Sequence, residues 1–368
     1  MTKRFVLSLL FATTLAVFSG CNGGDDARQQ FMLMFADNAT GSRAITRWTR
    51  DIESAQPTWQ SGGSIAGIAG GVAVAADDAG IGRLAAWRAT DASIRLNYGL
   101  GVSNWESQHG PRPSLGDQPY VFATSAPRVA FFPVQRPDGT PNRDLWLVSF
   151  VSSSNAISVR VYDAVEGAFL FGDLAASLSA AQDVRGEVAI AYQPDTDRVM
   201  LAWRRDAGGR PIATATATIG SFPLTTAPLW TINQNAGFGS AISNVTLCAN
   251  RSAFFIGHVV SETHATGDSE PLVSQHFRIV QSADGAGWNE IARSTNLPLS
   301  GTWEFGLGVL ESGELMAVGV NDSHTTHWAG YYRSSAGGLR SYADGAASVF
   351  GSTPKRGRPI GVLGTERR

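Results

Sequence analysis

The chain has 368 residues, 43% hydrophobic and 16% charged, a composition that builds a folded core and excludes global disorder. Its formal net charge is −2 and no long basic run occurs, so nothing attracts a phosphate backbone and nucleic acid is not an expected partner. The 41 glycines suit many tight turns.

At the N-terminus Lys3 and Arg4 precede an apolar run from Phe5 to Phe18, and Phe18-Ser19-Gly20 leads into Cys21. The run of 14 residues falls short of the roughly 20 needed to span a bilayer. The layout resembles a bacterial lipoprotein signal peptide. That resemblance implies cleavage before Cys21, a diacylglycerol on its thiol, and attachment to a membrane through the N-terminal lipid. Residues 21–30, the lipidated cysteine and a polar, glycine-containing stretch, then read as a flexible tether. In that family Asp after the cysteine favours inner-membrane retention; here the residue is Asn22, so the expected location is the outer membrane of a Gram-negative envelope.

Beyond the tether, short β-forming runs recur. Measured from Val72, Val129, Val188, Val245, Phe305 and Ile360, their spacings are 57, 59, 57, 60 and 55 residues. A second run follows each of the first five, as in Arg83–Arg88, Asp144–Ser149 and Arg198–Arg204, and a third follows in several units, as in Ile157–Tyr162 and Gln275–Val280. Fourth strands are expected to end near Trp105, Phe171, Trp230, Trp288 and Tyr342. Four strands per unit make a propeller blade. The segment 31–60 lacks a first strand, and Pro359 to Leu363 is a first strand with no blade after it. Pairing them completes a sixth blade, so residues 31–368 are expected to form one all-β, six-bladed propeller closed by both chain ends.

The turn Ser282-Ala-Asp-Gly-Ala-Gly-Trp288 looks like a shortened Asp-box, the Ser-x-Asp-x-Gly-x-x-Trp hairpin of sialidase-like propellers. In that family the motif is structural. The family's chemistry uses three arginines for a carboxylate, a Tyr–Glu nucleophile and an Asp acid/base. No local motif assigns these roles to particular residues here, so no catalytic residue is named.

Five of the six histidines fall in the last two blades. Loops after second strands share a face with the connections between blades, which groups His264, Asp268 and Glu270 with Asp322, His324 and His327. His109, in the connection from Glu106 to Ser125, is expected on the same face, and Trp328 beside His327 is the best candidate for stacking on a ligand. Imidazole and carboxylate groups on adjacent loops suit a polar ligand. Their spacings match no metal signature, so neither a metal nor a cofactor is expected. The other tryptophans recur at matching positions and read as packing between sheets. Cys248, in the apolar run Asn244–Ala249, reads as a buried thiol.

The expected function is a lipid-anchored cell-envelope propeller that binds a ligand or partner, an envelope protein or a glycan, without assigned catalysis. The alternative is a sialidase-like glycoside hydrolase or lyase.

Overall fold

A computed structural model describes residues 29–366, apart from residues 39–42, 51–57, 69, 78–79, 81, 101–120, 134–144, 165–166, 171, 179–182, 221–226, 238–239, 265–271, 324–326, 335–337, 342–349, 351–353, 355–357 and 359. Strands alternate with turns in the order the period requires. The closing blade joins β1 (Gln29–Ala36), β2 (Arg43–Thr49) and β3 (Gln60–Ala66) to the C-terminal strand β23 (Gly361–Glu366), which pairs antiparallel with β1 from Gln29↔Glu366 to Met34↔Gly361.

The second blade contains β4 (Val72–Ala76), β5 (Gly82–Arg88) and β6 (Ile94–Leu100). Next comes the third, with β7 (Arg128–Phe131), β8 (Leu145–Val151), β9 (Ile157–Asp163) and β10 (Ala168–Leu170). The fourth blade is β11 (Val184–Gln193), β12 (Arg198–Arg205), β13 (Ile212–Thr218) and β14 (Thr231–Asn233). Strands β15 (Thr246–Ala249), β16 (Phe254–His264), β17 (Leu272–Ser282) and β18 (Asn289–Arg293) build the fifth. The sixth consists of β19 (Trp303–Val309), β20 (Leu315–Asn321), β21 (His327–Arg333) and β22 (Gly338–Ser341).

The first strands touch in a closed circuit, β4 to β7, β11, β15, β19, β23 and back to β4, so the molecule is a six-bladed β-propeller closed by its two termini. Among the described residues no helix is long and apolar enough to cross a membrane.

The apolar core is divided into six clusters, one between each pair of neighbouring blades. Strand alternation produces this division directly. On β1, Phe31, Leu33 and Phe35 pack toward the sixth blade, while Met32, Met34 and Ala36 pack toward the second. On the second strands Trp87, Trp146 and Trp203 are all fully buried between sheets. Burial of each such ring contributes about 1.5–3 kcal/mol or more, so the interfaces between blades hold the fold.

At the closure, backbone meets backbone. A Cβ on Gly306 would run into Ile360 O, and one on Gly364 into Val309 O, so glycine is what lets β19 and β23 lie this close. The fourth strands depart from expectation at two blades: Trp230 and Trp288 stand just before β14 and β18 rather than at their ends. The ring of Trp288 instead packs on the interface of the fourth and fifth blades.

The Ser282–Trp288 turn is held by its own side chains. Asp284 Oδ1 accepts from the N–H groups of Ala286 at 2.9 Å and Gly287 at 3.3 Å, and the Gly285 N–H donates to Ser282 Oγ at 2.8 Å. Those N–H groups hold the Asp284 carboxyl below the usual carboxylate range. Arg198 of β12 donates to Asp284 O at 2.8 Å, which fastens the turn to the neighbouring blade, a structural role.

Candidate functional site

The first strands run from one face of the disc to the other, and each apolar repeat anchor is preceded by one residue at the upper end, the face reached by the ends of β5 and β8. Among the described residues those preceding positions are Gly71, Arg128, Glu187, Asn244 and Glu304. Four of these five are polar, and Arg128, Glu187 and Glu304 are more than nine-tenths buried.

Local geometry brings them together. The ladder between β11 and β12 shifts register between Val184 and Val188, and Gly186 within that irregularity takes φ +89°. A side chain at Gly186 would collide with Asn244 Oδ1. The bare backbone there lets the Asn244 amide settle, and its Nδ2 donates to both Glu304 carboxyl oxygens at 2.9 Å. Between the neighbouring strands β7 and β11, Arg128 Nη2 stands 2.5 Å from Glu187 Oε2.

Burial is the dominant force on both acids. It pushes Glu187 up, with the Arg128 charge working against it. Burial first, and the neighbouring Glu187 charge second, raise Glu304 to about 8, while the Asn244 hydrogen bond and the Arg128 and Arg204 charges oppose the shift. A carboxylic acid that keeps its proton at neutral pH is an O–H donor where an ordinary glutamate only accepts.

Above this ring lies a cavity of about 450 Å³, lined by Glu187, Asn244, Glu304, Arg88, Arg358 and hydroxyl- and amide-bearing residues of the second and third blades. At the opposite end of the channel a cavity of about 180 Å³ is lined mainly by apolar first-strand residues, with Asp77, Asn250 and Glu311 near its rim. A space of about 40 Å³ lies between them, beside Arg128 and Ile360. Ligand sites usually fall in the range of about 300–1,000 Å³ with a few convergent polar groups. By both volume and chemistry the upper mouth is the candidate site. Cys248 lines the lower cavity, is only half-buried, and is a free thiol whose pKa is pushed up by desolvation.

Of the residues singled out in the sequence, His264 ends β16 and Asp322 follows β20. His264 Nε2 lies 3.0 Å from Ser274 Oγ, which also sits 3.0 Å from His276 Nε2. Asp322 Oδ1 accepts from the Thr302 N–H at 2.7 Å and from Ser323 Oγ at 3.0 Å. Each is thus bonded within its own blade and not to the other. Trp328 of β21 packs against Phe277 and Phe305, with centroids 6.1 and 5.7 Å away, at the interface of the fifth and sixth blades. His327 begins β21, whereas His109, Asp268, Glu270 and His324 lie outside the described residues. Among the described residues no group of three His, Cys, Asp or Glu is placed to hold a metal ion.

No protein-family model matches the chain, and no curated protein matches it in sequence. Solved structures do match in fold. The fucose-specific lectin from Aleuria aurantia is 14% identical over 84% of this chain and 89% of its own, with a TM-score of 0.50. TolB from Acinetobacter baumannii is 12% identical over 91% of this chain and 66% of its own, TM-score 0.47. The GH43 endo-arabinanase from Bacillus licheniformis is 11% identical over 73% of this chain and 96% of its own, TM-score 0.40. At these identities the likeness is one of fold, shared with β-propellers of several kinds.

Proposed function

We propose that this chain is a lipid-anchored β-propeller of the cell envelope that binds a ligand or partner at the upper mouth of its channel. Residues 1–20 act as the signal, Cys21 carries lipid, 21–30 form the tether, and the propeller occupies 31–368. The observation that carries the binding reading is the buried set Arg128, Glu187, Asn244 and Glu304 opening into a cavity of about 450 Å³. Burying charges costs stability even when they are paired, and perturbed titratable groups gathered beside a cavity are characteristic of functional sites. On the same face, His264 at the end of β16, Asp322 after β20 and His327 at the start of β21 belong to an outer rim in this reading.

The test has two arms. Full-length protein expressed in a Gram-negative host should partition into detergent and take up labelled fatty acid, and C21S should do neither. Binding of envelope glycans and envelope proteins is then compared between the wild type and mouth variants such as R88Q and N244A. Ligands that bind both equally would place recognition elsewhere and overturn the mouth as the site.

A second reading is glycoside hydrolysis, favoured by two carboxyls of which one keeps its proton near neutral pH. Among the described residues the cavity lining contains no tyrosine. Turnover of chromogenic glycosides that disappears in both E187Q and E304Q would establish this reading in place of the first.

A further inference from the structure

The upper mouth is unevenly charged. Arg88 and Arg358 line the cavity beside Glu187 and Glu304, and Arg128 lies directly beneath, paired to Glu187. Three arginines stand against two glutamates, so this set stays positive even with both carboxyls ionised. At neutral pH, where Glu304 keeps its proton, the excess grows. The remaining polar lining includes Thr90, Thr124, Ser125 and Asn155, hydroxyls and an amide, and among the described residues it includes no aromatic ring. Such a surface is poor for stacking an apolar or cationic guest and rich in donors.

Resting on the reading of the mouth as a binding site, we propose that it takes a small organic anion bearing hydroxyl groups, a sugar acid in chemical class, held by Arg88 and Arg358 with the Glu304 O–H as a further donor. Guanidinium groups match carboxylates in shape as well as charge. Asn244 donates to both Glu304 oxygens, so the acid's own proton still needs an acceptor, and a ligand carboxylate supplies one. The groups that act on Glu304 are Glu187 on β11, Arg128 on β7, Asn244 ahead of β15 and Arg204 on the second strand β12. An added anion raises the affinity of Glu304 for its proton, so binding weakens as pH rises through about 8.

Calorimetric titration of the detergent-solubilised full-length protein with glucuronate, glucose and glucosamine at pH 6.5 and pH 9 tests this. The expected result is glucuronate binding at least tenfold tighter than glucose, no glucosamine binding, and a loss of about fivefold for glucuronate at pH 9. R88Q and R358Q should each weaken glucuronate about tenfold, while E304Q should bind at pH 6.5 and lose the pH dependence. A thermal melt of each variant separates these effects from misfolding. Glucose or glucosamine binding as tightly as glucuronate, with loss in the mouth variants, overturns the anion inference and leaves the mouth as the site. Silence from all three sugars also overturns it, and the site itself is then decided by the comparison of mouth variants with envelope ligands.

Discussion

Asn244 and Glu304, 60 positions apart in sequence, meet through one amide nitrogen that lies 2.9 Å from each carboxyl oxygen. The bond ties the start of the fifth blade to the start of the sixth. It also holds Glu304 in a buried place near a second acid, Glu187; burial first and the Glu187 charge second raise its pKa.

Glu304 has an ordinary value of 4.5, and its folded value is raised to about 8. The folded state therefore keeps a proton that the unfolded state has lost between those two limits. Stability should be fully present below pH 4.5 and fall as pH rises through about 8, by an amount on the order of a few kcal/mol. Urea denaturation at pH 5, 7 and 9 measures the slope. E304Q should flatten it, and an unchanged slope in that variant would mean that other groups govern it.

The Arg128–Glu187 ion pair predicts an asymmetry between single and double variants. R128M leaves Glu187 buried without its cation and should cost about 3–5 kcal/mol, whereas R128M/E187L should recover most of that loss. Chemical denaturation of the three proteins decides the matter. A single variant as stable as the wild type would show that the pair carries no buried charge.

At the closure, a Cβ on Gly306 has no room beside Ile360 O, while the same addition at Gly220 meets open space. G306A should lower stability by about 1–3 kcal/mol, and G220A should leave it within about 0.5 kcal/mol. Equal melting temperatures for the two would contradict the close contact of β19 with β23.

Much of the architecture was legible because an inner strand of a propeller is apolar on both sides. Its anchors Val72, Val129, Val188, Val245, Phe305 and Ile360 therefore repeat as visible runs. The lone β23 could be matched to the blade beginning with β1 for the same reason. Fourth strands were less legible: β14 is exposed along its length, and outer strands carry little apolar patterning to mark where they start.

The polar ring was less legible, because Arg128, Glu187, Asn244 and Glu304 each stand just ahead of an apolar run, where polar residues are ordinary turn residues. Only ring closure reveals that these positions converge and are buried. The histidines drew attention by their uneven distribution, yet His264 and Asp322 each bond to neighbours in their own blade. A signal was present all the same: polar residues at one fixed offset in four of six repeats mark a shared place in the fold.

Cys248 offers a check on the channel wall. Burial pushes its thiol up, so alkylation of folded C21S protein, in which Cys248 is the remaining cysteine, should be slow at pH 8 and become rapid in denaturant. Equal rates in both states would mean that the lower channel is open to water and reagent.

The most direct test of the account is a carbon-13 NMR titration of the glutamate side-chain carboxyls, with Glu304 assigned by the signal missing from E304Q. A midpoint near 8 that moves upward on adding glucuronate is the predicted result. A midpoint in the ordinary glutamate range, unmoved by glucuronate, would contradict both the buried acid and the anion it is proposed to receive.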